Sequence, residues 1–154
     1  MANKGKYYES QFEEATIELL HESHWQYAFG DDIHRKYTDP LIEEDLRNFL
    51  AVQYKDKNLI TSEMDSIVAN LRNTGGQNDY YALRNAFLLY RDGYDFAYSD
   101  GRDNPFRLEY IDFEHPDHNI FRCVNQFVME QGRENRRPDI LLFINGIPVC
   151  IIEL

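Results

Sequence analysis

Near the carboxyl end, two short apolar runs, Ile140 to Ile144 and Ile147 to Ile152, are separated only by Asn145-Gly146. Asn and Gly accept positive φ at little steric cost, which a two-residue hairpin turn demands of both central positions. The segment therefore predicts an antiparallel hairpin, with strands over Asp139 to Ile144 and Pro148 to Glu153. An isolated hairpin is marginal in water, so the rest of the 154 residues must cover it. With 43% hydrophobic and 28% charged residues, the chain has an ordinary globular composition and enough core to do so. The same apolar runs are far too short to span a bilayer. The amino-terminal Met1-Ala2-Asn3-Lys4-Gly5-Lys6 has no apolar segment behind it, so neither a signal peptide nor a membrane partner is expected.

Upstream, the periodicity is helical. Phe12, Ala15, Thr16, Leu19 and Leu20 form a helical stripe, which predicts an amphipathic helix over about Glu9 to Ser23. Trp25 to Phe29 reads as a short strand closed by Gly30. Asp39-Pro40 predicts a helix start, followed by Ile42, Leu46, Phe49, Leu50 and Gln53 on one face. A third helix is capped by Ser62, turns Met64, Ile67, Val68 and Leu71 inward, and stops at Thr74-Gly75-Gly76. A fourth, with Tyr80, Leu83, Ala86, Phe87 and Tyr90 on its apolar face, ends at Gly93. The last third changes period, and Tyr94 to Tyr98, Arg107 to Phe113 and Phe121 to Glu130 read as strands. The expected class is α/β in the broad sense, an α+β mixed sheet with flanking helices.

Charge limits the partners. Lys and Arg total 16 against 27 Asp and Glu, a formal charge of -11, so the chain does not hold nucleic acid by bulk electrostatics alone. Cys123 and Cys150 lack paired spacing, which excludes a disulfide framework and a cysteine zinc site. Both read as small core hydrophobes in a reducing cytoplasm. His21/His24 and His115/His118 read as solvated histidines near loops, and no zinc site is expected.

Asp139 opens one strand of the hairpin and Glu153 closes the other. Two carboxylates at neighbouring strand positions offer the hard oxygen ligands that Mg²⁺ takes, while the ion keeps several waters. Such waters supply the nucleophile for phosphodiester hydrolysis. Parity tests the pairing. With a two-residue Asn145-Gly146 loop, Asp139 opposes Ile152 and Glu153 faces the other side. With a three-residue loop, or with a bulge that restores the phase, Asp139 opposes Glu153. Pro148 has no N–H for the ladder and favours an irregularity nearby. On spacing alone the plainer reading is favoured, with Asp139 a turn residue after Pro138 and Glu153 a solvated strand end.

A wider set of motifs bears on that choice. Glu9-Ser10-Gln11-Phe12-Glu13, His24-Trp25-Gln26-Tyr27, Ile111-Asp112-Phe113, Asn119-Ile120-Phe121, Val124-Asn125-Gln126-Phe127 and the block Arg136 to Pro148 run through most of the chain. On these residues the sequence resembles the N-terminal part of the R (restriction and motor) subunit of type I restriction-modification enzymes. The resemblance implies a restriction-endonuclease-like core with a PD-(D/E)xK nuclease site, in which Asp139 and Glu153 match the catalytic metal carboxylates. It also implies that the motif's lysine follows Leu154, and that a Gln-x-x-x-Tyr element and an ATP-binding motor lie further on. Leu154 breaks off in mid-strand, so residues 1–154 are expected to be a partial N-terminal nuclease domain, inactive when isolated.

The superfamily also offers a Glu on its first helix. Glu14, Glu18 and Glu22 lie on the solvent side of the helical wheel, whereas Glu13 lies at the edge of the apolar stripe. Glu13 is therefore the candidate third metal ligand, beside the equally plain reading of an ordinary edge glutamate. Gln126 reads first as a strand-surface side chain that would otherwise line the site. Arg133, Arg136 and Arg137 form the local basic cluster, with Arg136 and Arg137 as DNA-phosphate candidates or simply as counter-charges to nearby acids. The resemblance implies Mg²⁺-dependent cleavage of double-stranded DNA coupled to ATP-driven translocation, in complex with modification and specificity subunits. The rivals are another helicase-linked nuclease and a non-catalytic docking module that attaches the motor to its complex.

Overall fold

A computed structural model describes residues 8–154. The chain folds as two compact units. One ends its first stretch at Ile42 and resumes over Ile120–Leu154, and the other is Glu43–Asn119. Among the described residues no helix is long and apolar enough to cross a membrane.

The first unit is built on a four-stranded mixed sheet. Helix α1 (Glu9–Glu22) leads through His24, at φ 67°, into strand β1 (Gln26–Phe29). The second unit then intervenes in the chain. It contains α2 (Glu43–Gln53), α3 (Thr61–Arg72), α4 (Asp79–Asp92) and the short antiparallel pair β2 (Tyr94–Phe96) and β3 (Phe106–Leu108). The first unit resumes with β4 (Phe121–Asn125), the small hairpin β5 (Met129–Gln131) and β6 (Glu134–Arg136), and the hairpin β7 (Ile140–Ile144) and β8 (Ile147–Ile152). Strand order is β1-β4-β7-β8, with β1 parallel to β4 and the other neighbours antiparallel. The architecture is the α+β class expected from the change of period.

Residue alternation divides the sheet. Val124, Leu141 and Phe143 bury one face with Ile42 and Phe127, and Ala28, Ile33 and Met129 pack around them. The Phe127 and Phe143 rings lie 5.0 Å apart at a tilt. In the second unit Leu46, Leu50, Ile67, Val68, Leu108 and Tyr110 are fully buried. The Tyr110 hydroxyl donates to the Ile67 carbonyl at 2.8 Å, which removes the penalty for burying it. Glu63 is 2% exposed because Arg102 clasps both of its oxygens, at 2.7 and 2.6 Å.

Several sequence expectations are corrected. The α1 stripe is split. Glu13, Thr16, Ile17 and Leu20 are partly covered, whereas Phe12 and Leu19 are 50% and 64% exposed. Bonds from Asn125 and Gln126 to Glu13 fix the rotation of the helix. Helix α2 starts at Glu43 rather than at Asp39-Pro40, because Asp39 Oδ1 accepts from the Leu41 amide and closes a local turn instead. Helix α3 is entered at Ile60, whose amide donates to Glu63, and not at Ser62. On α4, Tyr80, Leu83 and Phe87 face solvent, and no residue of the helix is fully buried. Ile111 to Phe113 is not a strand, and β4 stops at Asn125 because Gln126 adopts φ 56° and breaks the ladder. Cys123 is buried as expected, but Cys150 is exposed because β8 is the outermost strand of the four.

Candidate functional site

The Asn145-Gly146 turn has φ values of 51° and 75°, the positive pair that a two-residue turn needs. It pairs Ile144 with Ile147 and Phe143 with Pro148, and then the register shifts. Leu142 pairs with Cys150, Leu141 with Ile151 and Ile140 with Ile152, which leaves Val149 as the extra residue of a bulge. The bulge follows Pro148, the residue without an N–H. The one-residue shift brings Ile140 opposite Ile152, and Asp139 and Glu153 are the next residues outward. Asp139 is half-buried, and its Oδ2 accepts from the Leu154 amide at 2.8 Å. Glu153 is exposed.

The same end of the sheet holds Glu13. Its Oε1 accepts from Asn125 Nδ2 at 2.9 Å and from Gln126 Nε2 at 3.4 Å. Tyr27 donates its hydroxyl proton to Asn125 Oδ1 at 2.9 Å, and desolvation followed by the Glu13 charge pushes the Tyr27 pKa up. Gln126 also sends its backbone N–H to the Asp139 carbonyl at 3.3 Å. Gln126 thus links the segment that holds Glu13 to the residue that opens β7. Sequence reading ranked it first as a surface glutamine, because the left-handed kink that turns it inward has no local signal. Gly30 packs directly on this kink, and a Cβ there would stand 2.3 Å from the Gln126 carbonyl oxygen.

The three carboxylates Glu13, Asp139 and Glu153 do not converge within 4.8 Å of one another. Among the described residues, the group of metal-ligating side chains that does so is Asp112, His115 and His118, in the second unit. Asp112 is 5% exposed. Backbone donation from His115 leads the effects that hold its carboxyl below the usual carboxylate range, with help from Gln53 and His118. Sequence reading missed this group. The signal was the spacing Asp112-x-x-His115-x-x-His118, divided there between a motif block and a solvated histidine pair.

The basic candidates are exposed. Arg136, on β6, lies 3.7 Å from Glu134 and lines a groove of about 470 Å³ with Tyr37, Thr38, Pro40 and Met129. Arg133 and Arg137 are exposed on either side of that strand.

A mixed sheet with a helix at one end and a carboxylate-bearing hairpin at its edge defines an α+β domain. The chain belongs to the family described as the type I restriction enzyme R protein N terminus, which matches residues 6–154. It is 28% identical over 156 residues to the type I restriction enzyme HindI endonuclease subunit of Haemophilus influenzae, covering 95% of this chain and 15% of that protein. It is also 28% identical over 149 residues to the putative type I restriction enzyme MjaIXP endonuclease subunit of Methanocaldococcus jannaschii, covering 92% of this chain and 14% of that protein. The putative MjaVIIP endonuclease subunit of the same archaeon is 45% identical over 47 residues, which is 30% of this chain and 4% of that protein. The chain thus spans about 15% of the length of the first of these curated relatives.

Proposed function

We propose that the chain is the nuclease portion of a type I restriction R subunit that works in the cytoplasm and hydrolyses double-stranded DNA at a PD-(D/E)xK site. The observation that supports this reading is the bulge at Val149, after which Ile140 pairs with Ile152, the residues that adjoin Asp139 and Glu153. Their oxygen donors suit Mg²⁺, which is commonly held by one or two carboxylates together with substrate phosphate. When bound, the ion would lower the pKa of the attacking water and offset charge on the scissile phosphate. Asp139 and Glu153 would hold it, with Glu13 as a further acidic group braced by Asn125 and Gln126. Asp139 is kept in position by its bond to the Leu154 amide. Arg136 and Arg137 would meet DNA phosphates, a positioning role without base specificity. A net charge of -11 makes delivery of DNA the task of other parts of the assembly. Those parts are an ATP-driven translocating motor in the same subunit and the partner modification and specificity subunits.

The test is Asp139→Ala in the full-length subunit, with DNA cutting, ATP hydrolysis and translocation measured on one preparation. Cutting should fall by several orders of magnitude while ATP hydrolysis and translocation persist, because the loss is confined to charge stabilisation at the nuclease site. Normal cutting by the variant rejects the proposal. A docking role for the same segment is favoured by one observation, the solvent-facing Phe12 and Leu19 on α1. Loss of ATPase activity and thermal stability together with cutting would select that reading.

A further inference from the structure

In the second unit, Asp112, His115 and His118 each offer a ligand atom, and all three atoms lie within 4.8 Å of one another. The contact geometry is specific. His118 Nδ1 is 3.0 Å from Asp112 Oδ2, and His115 Nδ1 is 3.7 Å from the same oxygen. The two imidazoles stack nearly parallel, with centroids 4.9 Å apart and planes 18° apart. Both rings thus aim the same nitrogen at one carboxylate oxygen. A proton shared with His118 satisfies only one of them and leaves the His115 nitrogen beyond hydrogen-bond reach.

A metal ion would satisfy all three. Tetrahedral Zn²⁺ with ligands at about 2.0–2.1 Å sets neighbouring ligand atoms about 3.3 Å apart. The two separations, 3.0 and 3.7 Å, straddle that edge length. The carboxylate is braced for the role from outside. Its Oδ1 accepts from the amides of Glu114 and His115, and its Oδ2 accepts from Gln53 Nε2 at 2.9 Å. Asn119 Oδ1 accepts from the Asp112 amide, and Asn119 Nδ2 donates to the Asp112 and Pro116 carbonyls, which holds the turn that spaces the histidines. Asp112 is buried, while the two histidine side chains are 60% and 50% exposed, so an ion has a path from solvent.

We propose that Asp112, His115 and His118 form a binding site for a divalent transition-metal ion of the Zn²⁺ type, with the fourth position open to water. Two imidazoles and one carboxylate favour Zn²⁺ over Mg²⁺, which prefers an all-oxygen shell. The site is independent of the proposed nuclease centre, since it shares no residue with Asp139, Glu153 or Glu13. Its effect would be to clip the turn that follows β3.

The experiment is a calorimetric titration of the purified chain with Zn²⁺ in the presence of excess Mg²⁺, with Co²⁺ absorption reporting the coordination. One equivalent should bind, and Co²⁺ should give the visible bands of a tetrahedral site. His115→Ala and His118→Ala should each weaken binding on the order of tenfold or more, since removing a ligand costs at least as much as removing one of its hydrogen-bonding partners. Both side chains are exposed, so the variants should keep the unfolding temperature of the metal-free parent. Histidine NMR of the unsubstituted chain gives a reading that does not depend on variants. The His115 and His118 ring resonances should respond to the first equivalent, and those of His21, His24 and His34 should not. The proposal is overturned by absence of Zn²⁺ binding, by unchanged affinity in the double variant, or by a response at the other histidines.

Discussion

The Leu154 amide donates to Asp139 Oδ2 across 2.8 Å, joining the residue that opens one strand of the carboxyl-terminal hairpin to the end of the other. The bond is possible because Val149 bulges out of β8 and advances the register by one residue. Without that shift, a two-residue turn would set Asp139 against Ile152 and turn Glu153 to the opposite side.

Tested on its own, the 154-residue chain should not cut DNA. Glu13 does not join Asp139 and Glu153 within 4.8 Å, and a charge of -11 repels the substrate. Incubation with plasmid and Mg²⁺ should give no cleavage above that of a Glu153→Ala control. Cleavage that vanishes in the control would mean that the site is already competent.

Glu13→Gln separates a structural role from a ligand role. The amide oxygen of glutamine still accepts from Asn125 and Gln126, so the unfolding temperature should stay within a degree or two of the parent. If Glu13 contributes metal charge, cutting by the full-length subunit should fall at least on the order of tenfold, with ATP hydrolysis unchanged. Unaltered cutting would leave Glu13 as a brace for the sheet end.

Gly30→Ala should destabilise the first unit by about 1–3 kcal/mol, the usual cost of overpacking. The new methyl group would meet the Gln126 carbonyl oxygen at 2.3 Å, and the contact is backbone that cannot swing away. Chemical denaturation of the variant beside the parent gives the difference.

Asn145→Ala should cost about 1–3 kcal/mol through a partly buried donor left unsatisfied, with added strain at φ 51°. Asn145 Oδ1 accepts from the Ile120 amide at 2.7 Å and the Asn145 backbone N–H donates to the Ile120 carbonyl at 2.8 Å, so side chain and backbone together fasten the turn to the entry of β4. Asn145→Asp, which keeps the acceptor, should recover most of the loss in the same denaturation assay.

The Glu63–Arg102 pair predicts acid sensitivity. Hydrogen bonds from Arg102 lower the Glu63 pKa from 4.5 to about 2. A carboxyl whose folded pKa lies below its unfolded value binds fewer protons when folded, so its contribution is fully present above about pH 4.5 and is lost as pH falls towards 2. Melting temperature measured across that window should fall more steeply in the parent than in Glu63→Gln. Arg102→Ala should lower stability at neutral pH as well, because it strands a buried carboxylate.

The sequence by itself determined whatever short-range physics controls. Asn145-Gly146 encodes its own turn through positive φ, and the two apolar runs beside it have no other way to pair. The block from Arg136 to Pro148 is distinctive enough to name the family, and the candidate carboxylates Asp139 and Glu153 came with it. Parity also restricted the hairpin to two registers and pointed to Pro148 as the weak point of the ladder. Choosing between the registers took the whole sheet, because β4 lies along β7 and Ile42 donates to the Gly146 carbonyl, so the hairpin meets partners far away in sequence. The face α1 presents was decided by Asn125 and Gln126, which lie more than a hundred residues away. A stripe of Phe12, Ala15 and Leu19 has no means of registering such partners. The meeting of His115 and His118 at Asp112 was also a tertiary outcome. It depends on a turn held by Asn119 and on Gln53 reaching in from α2, and side-chain convergence of that kind leaves no period in a sequence.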